Sequence, residues 1–441
     1  MLTKLKKAAS ILLGLYLFLL PWQTVFIFDQ KILNGDKWHY GSGLIFATEM
    51  LLWLIAILQL VVFLKRSPVA DRTKPINRHK ILVTVSLWLL IIWSGLSLIW
   101  APEKDAGFYN WFFLLQAAVL FFIILTGSIN KKRIYLSLSL AGALQALLAL
   151  WQFISQEIVA NKWLGLSTHL PWQNSDIVIE SSGRWLRAYG AFTHPNILGG
   201  FLVICFFATI IPAFKIDGRK NTPRRIIAAL LILMGIFFSF SRSAWLALAL
   251  GMIFIFVREI VNSKKTTAYY RNLTKYFLAP LVLAGVLFFL YQPLVLTRVS
   301  SADRLEANSI NERLAYLSQA EEIIQNRWLA GTGIGNYTYV LYQADPAWPA
   351  WNYQPVHNIF VLIFAELGIV GIIVFAFFLI SLLINSLFAQ SNVNKIKFPT
   401  ELAFFIAVVA IGCFDHYLWT SYVGLIMLFL SFSLLLKNDY E

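Results

Sequence analysis

Charge is scarce in this chain: Asp, Glu, Lys and Arg together make up 13% of its 441 residues. Soluble domains carry about a quarter. The deficit excludes an ordinary soluble enzyme, and a 59% hydrophobic content points to an integral membrane protein with many spans. The apolar runs last far longer than a strand needs, so a β-barrel is disfavoured. Only two cysteines occur, Cys205 and Cys413, both within apolar stretches. They read as packing residues and say nothing about redox compartment. The outer loops hold no close cluster of His, Cys or paired carboxylates with ligand spacing, so no metal and no cofactor are expected. A Gly-x-Ser-x-Gly elbow is absent, which leaves a Ser-His-Asp hydrolase unsupported. No small-x-small cleavage site follows the first apolar run, which therefore reads as a span rather than a cleaved signal.

What is present is a succession of apolar segments: 10–28, 43–64, 81–100, 111–127, 134–154, 195–214, 226–240, 243–257, 276–292, 357–389, 399–414 and 421–436. Read as twelve crossings, they put both termini on one side. Lys4, Lys6 and Lys7 make that side cytoplasmic. The net charge of +14 then follows from short basic inner loops at 65–80, 131–133, 215–225, 258–275 and 390–398. It is a topology signal and not a nucleic-acid patch. The cytoplasmic membrane is the expected location, with the active face on the periplasmic or extracellular side.

Segment 226–257 is too long for one ordinary crossing and carries Arg242 at its centre. A single helix would bury that charge near the midplane at a cost of several kcal/mol. Two short helices joined by a tight turn at Ser241–Ser243 place Arg242 at the outer surface instead. Two outer loops are long, 155–194 and 293–356. In the second, Ile310, Leu314, Leu317, Ile324 and Trp328 recur at helical spacing, which predicts an amphipathic helix lying over the membrane surface. No clear inverted repeat of broken helices is visible, which counts against a secondary transporter.

The polar residues that remain crowd one face. Arg187 precedes a span and Arg242 tips a turn; arginine binds phosphate bidentately and stays charged. Snorkelling to lipid headgroups is the plainer use of either one. His357 opens the tenth segment, where an imidazole can serve as a general base near neutral pH or simply cap the helix with Asn358. His194 precedes Pro195 and Asn196, a helix start that favours a structural role. His416, beside Asp415, is a further outer candidate. Glu366 lies nine residues beyond His357, within the apolar segment, and reads as structural support, with Glu49 a weaker case. Gly331-Thr332-Gly333-Ile334-Gly335 lacks the strand and crossover of a dinucleotide site; its glycines allow a tight turn near a substrate. Trp348, Trp351 and Tyr353 could stack on sugars, but an aromatic belt is the plainer reading.

Together these pieces resemble the O-antigen ligase/polymerase family of bacterial membrane glycosyltransferases. The resemblance runs from about Gly183 to Gly371. It is carried by Arg187 with Gly190-x-Phe192-x-His194-Pro195-Asn196, by Ser241-Arg242-Ser243-Ala244-Trp245, by Asn311-Glu312-Arg313, by Gly331-x-Gly333-x-Gly335-Asn336, and by His357-Asn358 with Glu366-Leu367-Gly368 and Gly371. It implies an all-α, GT-C-like polytopic membrane fold of about twelve transmembrane helices with a long periplasmic loop. The core domain would span 183–389, including 293–356, flanked by membrane helices at 1–182 and 390–441. It also implies transfer of a glycan from undecaprenyl diphosphate to an acceptor hydroxyl, metal-independent and inverting. Arg187 and Arg242 would hold the diphosphate and His357 would activate the acceptor. Arg313, Asn358, His194, Asn196, Gly333 and Gly335 would contact substrate. The acceptor would be a lipid, a glycan or a protein, and polysaccharide-assembly proteins are possible partners. A polymerase or a protein O-oligosaccharyltransferase fits the same residues, and a lipid-linked glycan transporter or flippase is the rival of another class.

Overall fold

The computed structural model describes residues 2–65, 78–127, 129–173, 176–180, 183–214, 222–262, 273–300, 304–388 and 398–437. Most of the basic loops expected on the inner side lie outside the described residues.

Helices dominate. The first half holds α1 (Leu2–Leu19), α2 (Ala47–Leu64), α3 (Arg78–Leu96), α4 (Lys104–Thr126) and α5 (Lys131–Ser155). The second half holds α6 (Pro195–Ile210), α7 (Thr222–Phe238), α8 (Arg242–Asn262), α9 (Ala279–Leu290), α10 (Gln292–Ser300), α11 (Arg304–Arg327), α12 (Tyr337–Ala344), α13 (Ile359–Phe388), α14 (Leu402–Gly412), α15 (Tyr417–Thr420) and α16 (Tyr422–Leu436). Among the described residues, three small antiparallel ribbons decorate the loops. Val25–Asp29 pairs with Gly43–Phe46, Ile32–Leu33 with Asp36–Lys37, and Ile177–Glu180 with Gly183–Leu186. The first apolar segment is split between helix and strand: α1 stops at Leu19, because Pro21 has no N–H to continue it.

Among the described residues, seven helical stretches are long and apolar enough to cross a membrane, and an eighth if α9, with the turn before it, and α10 count as one span bent by 89°. Their outward residues are large and apolar, Phe289 and Leu281 among them. The chain is an all-α polytopic membrane protein. At its centre stands α6, every residue of which is buried except Ile197. The last helix, α16, is buried up to Leu435.

Two buried lysines mark one end of the bundle. Lys131 Nζ lies 2.7 Å from Glu401 Oε1, and Lys437 Nζ donates to the carbonyls of Ile124 (2.8 Å) and Gly127 (3.2 Å). The end of α4, the starts of α5 and α14 and the end of α16 therefore meet at one level. At the opposite level the starts of α6, α8 and α13 meet the end of α14.

Above that second end lies α11. Its inward face carries Arg313, Tyr316, Ala320 and Ile323 at three- and four-residue spacing, and the last two are buried. The stripe read from the sequence is divided: Ile310 and Ile324 are part-buried, Ile324 against the core, whereas Leu314 is 60% exposed and Leu317 and Trp328 are also exposed.

Candidate functional site

Asn358 fixes the start of α13. Its Oδ1 accepts from the N–H groups of Phe360 (2.9 Å) and Val361 (3.2 Å), satisfying donors that a helix start leaves free. Its Nδ2 donates to the Cys413 carbonyl at 3.2 Å, which ties α13 to the end of α14. The chain before it thereby brings His357 beside Asp415. His357 Nδ1 lies 3.5 Å from Asp415 Oδ1, an ion-pair distance without an aligned hydrogen bond.

Asp415 is the hub of the site. It is buried, accepts from Ser243 Oγ at 2.7 Å, and takes both carboxylate contacts of Asn196 Nδ2, at 3.1 and 3.3 Å. Burial alone would raise its pKa. The nearness of His357, the Ser243 hydroxyl and the charge of Arg313 outweigh burial and hold the carboxyl well below its usual range. His416 is the neutral neighbour. Burial first, and the charge of His357 next, lower its pKa to about 3. Its Nδ1 is 2.8 Å from Thr420 Oγ1, and its ring centroid is 4.9 Å from that of His357. Tyr316, from the inward face of α11, stacks on His357 with ring centroids 6.0 Å apart.

A second layer leads outward from Asn196. Its Oδ1 accepts from Arg187 Nη2 at 2.6 Å, while Arg187 Nε donates to the Ser239 carbonyl at 2.9 Å. The remaining Arg187 nitrogen, Nη1, lies 3.8 Å from Asp176 Oδ1. Asp176 also accepts from the Tyr189 hydroxyl at 2.8 Å and sits 3.3 Å from His194 Nε2. Against the cost of its burial, His194, Arg187 and Tyr189 hold its carboxyl far below the usual range. The other His194 nitrogen, Nδ1, accepts from the Asn196 N–H at 3.0 Å and caps α6, with Pro195 at the first helical position.

The expected break in 226–257 is there. Helix α7 ends at Phe238 and α8 begins at Arg242, so the turn is Ser239–Ser241 and Ser243 already lies in α8. Phe240 takes a left-handed conformation (φ 46°), uncommon for a bulky residue. Arg298 holds the turn by donating through Nε and Nη2 to the Phe240 carbonyl at 3.3 and 3.1 Å. Arg242 Nη1 in turn donates to the Arg298 carbonyl at 3.3 Å. Below this clasp an apolar groove of about 870 Å³ opens between α7, α8 and α9. Trp245 and Val295 line it, each one turn from Arg242 and Arg298 respectively.

The glycine loop serves α13. At Gly368 the helix breaks, with φ 68° and ψ −169°. Ile369 N–H donates to the Trp328 carbonyl instead of continuing the helix, while the carbonyls of Ala365 and Glu366 accept from Thr332 and Gly333 N–H. The loop thus replaces the bonds the break removes. A Cβ at Gly331 would lie 2.3 Å from the Glu366 carbonyl oxygen. The spaces at Gly333 and Gly335 are filled by Ala101 and Asn110, so these two glycines pack against protein. Glu366 is buried and bonded by Trp419 Nε1 at 2.9 Å and by the N–H groups of Gly335 and Tyr337. Glu49 likewise has partners, the Phe46 N–H at 2.8 Å and Gln116 Nε2 at 2.6 Å.

The structure therefore brings His357, Asn196 and Ser243 onto Asp415, with the charge of Arg313 nearby, while Arg187 and His194 meet at Asp176 and join this group through Asn196; Asn358 ties in through the Cys413 carbonyl, and Arg242 neighbours Ser243 in the chain. Sequence reading gave Asp415 only as the neighbour of His416 and passed over Asp176 and Arg298. For Asp415 a usable signal exists: a lone carboxylate in the short turn between two strongly apolar segments.

Residues 227–376 match the family model described as O-antigen ligase. No curated protein matches the chain. The matched stretch contains Arg242, Arg298, Arg313, the glycine loop and His357; Arg187, Asn196 and Asp415 lie outside it.

Proposed function

Because residues 227–376 match the O-antigen ligase family model, we propose that the chain transfers a glycan from undecaprenyl diphosphate to an acceptor hydroxyl on the outer face of the cytoplasmic membrane. The observation that carries the reading is His357 poised against the buried Asp415. With Nδ1 turned to the carboxylate, Nε2 is the nitrogen left for the acceptor. It takes the hydroxyl proton as the acceptor oxygen bonds to the anomeric carbon. The bond from that carbon to the diphosphate oxygen breaks, and the carrier diphosphate leaves with the electron pair. Asp415 stabilises the imidazolium that forms.

Charge on the leaving group is the larger barrier, and fixed cations aimed at it supply most of the stabilisation. Arg242 sits one turn from Trp245 in the lining of the apolar groove, whose aliphatic and aromatic walls suit a polyprenyl chain. Arg187 is the second contact. Its 3.8 Å approach to Asp176 is the one that a phosphate oxygen can replace. Arg313, on the inward face of α11, adds a positive charge near Asp415. Twelve crossings, with α11 as a lid on the outer side, complete the reading.

The test is to extract lipid-linked and surface glycans from cells with wild type, a deletion, and His357→Ala. Long polymer accumulating on undecaprenyl diphosphate in both defective strains makes the protein a ligase. Single repeat units accumulating there make it a polymerase. A His357→Ala strain indistinguishable from wild type removes His357 from the mechanism.

A further inference from the structure

The segment between α12 and α13 carries two indoles that the site above does not use. Trp348 is 52% exposed and Trp351 is 67% exposed. Large aromatic faces left open mark a contact surface or a membrane.

Their setting is rigid and ionic. Trp348 Nε1 donates to Asp345 Oδ2 at 2.8 Å, and its main-chain N–H donates to the Tyr353 hydroxyl at 3.1 Å. Asn34, at the tip of the Ile32–Lys37 hairpin, donates to the carbonyls of Pro346 (2.6 Å) and Trp348 (2.7 Å). That tip exposes Asn34, Gly35, Asp36 and Lys37. At the hairpin's base Lys31 pairs with Asp29, Glu103 and Asp105 at 3.4, 3.3 and 2.7 Å. Such charges belong in water, not among acyl chains.

The shelf is continuous with the site. The Trp351 carbonyl accepts from Gln354 Nε2 at 2.7 Å, and Gln354 Oε1 accepts from the Tyr40 hydroxyl at 2.7 Å. The Tyr40 ring lies 6.0 Å from that of His416, which packs on His357.

We propose that Trp348 and Trp351 form a glycan-binding shelf that seats sugar rings on the approach to His357, with Tyr40 and Gln354 as its inner wall. A pyranose offers a face of C–H bonds, which stacks on the electron-rich face of an indole. It also offers rim hydroxyls, which hydrogen-bond to neighbouring amides and carboxylates. The proposal rests on the glycosyltransferase reading. The chemistry is shared by donor and acceptor glycans, and the experiment separates them.

Full-length protein in nanodiscs is titrated by calorimetry with two probes. One is the oligosaccharide released by mild acid from the host's polyprenyl-linked glycan; the other is the unsubstituted surface glycan from a deletion strain. Trp351→Ala weakens binding of one probe about tenfold, as loss of a stacking anchor does, and Trp351→Phe keeps most of it. The probe affected names the glycan. Equal affinities for wild type, Trp348→Ala and Trp351→Ala overturn the shelf, as does a wild type that binds neither probe. So does quenching of the Trp351 emission, taken as wild type minus Trp351→Phe, by brominated acyl chains. A protein that binds through these tryptophans yet transfers nothing leaves the shelf standing and overturns the transferase reading.

Discussion

Arg242 and Arg298 clasp the Ser239–Ser241 turn to the end of α10. Arg242 bonds the carbonyl of Arg298, and Arg298 bonds the carbonyl of Phe240, two residues before Arg242. The clasp sets the height of the Arg242 guanidinium over the groove and keeps a left-handed Phe240 in place. Arg298→Ala leaves the buried Phe240 carbonyl without these donors, at about 1–3 kcal/mol. The expected result is a donor KM raised about tenfold with a smaller change in kcat, measured on reconstituted protein.

Asp415→Asn is the sharper test of the hub. The side chain keeps its shape and loses the charge that orients and stabilises His357. Transfer should fall by about 10²–10⁴-fold in kcat while donor KM stays near wild type. A variant that retains wild-type kcat shows that the carboxylate only packs.

His416 should make the fold sensitive to mild acid. Its unfolded pKa is about 6.5, and its folded value is about 3. Because the folded value is lowered, the unfolded chain takes up the proton first. Stability therefore drains as pH falls below about 6.5 and keeps draining toward 3. Asp415 and Asp176 work in the other window: their lowered values contribute above the unfolded carboxyl range, about 4, and are lost only below it. Thermal unfolding at pH 7.5, 6 and 5 should show a falling midpoint in wild type and a flatter one in His416→Gln.

Arg187→Lys removes the planar fork that joins Ser239, Asn196 and the Asp176 side. An ammonium cannot span those positions. Donor turnover should drop by at least about tenfold, and wild-type turnover would count against Arg187 as a phosphate contact.

Gly368→Ala should not fold well. Its φ of 68° is unfavourable for alanine, and the new Cβ would sit 2.3 Å from the Leu329 carbonyl oxygen. A loss of about 1–3 kcal/mol from backbone strain alone is expected, visible as a lowered unfolding temperature and poor yield.

The helical frame was legible because apolar length is read directly from composition, and each apolar segment contains a helix. His357, Arg187 and Arg242 stood out for a related reason: a charged or titratable group is conspicuous in so apolar a chain. Asp415 did not, since its meaning depends on α14 ending where α6, α8 and α13 begin, and no local pattern encodes that meeting. Helix α11 shows the same limit. Its apolar stripe was visible, but the face that packs on the site carries Arg313 and Tyr316, and hydrophobic periodicity ranks such a face as polar.

The exchange of bonds between 328–333 and 365–369 bears on how this protein can be cut and recombined. Ile369 depends on Trp328, and Ala365 and Glu366 depend on Thr332 and Gly333. A chimera that takes the loop from one parent and the helix from another inherits half of a two-part joint. Its main-chain groups then lie open in apolar surroundings, where each unmet bond costs several kcal/mol. Crossover points in this chain therefore belong before Trp328 or after Ile369, and never between them.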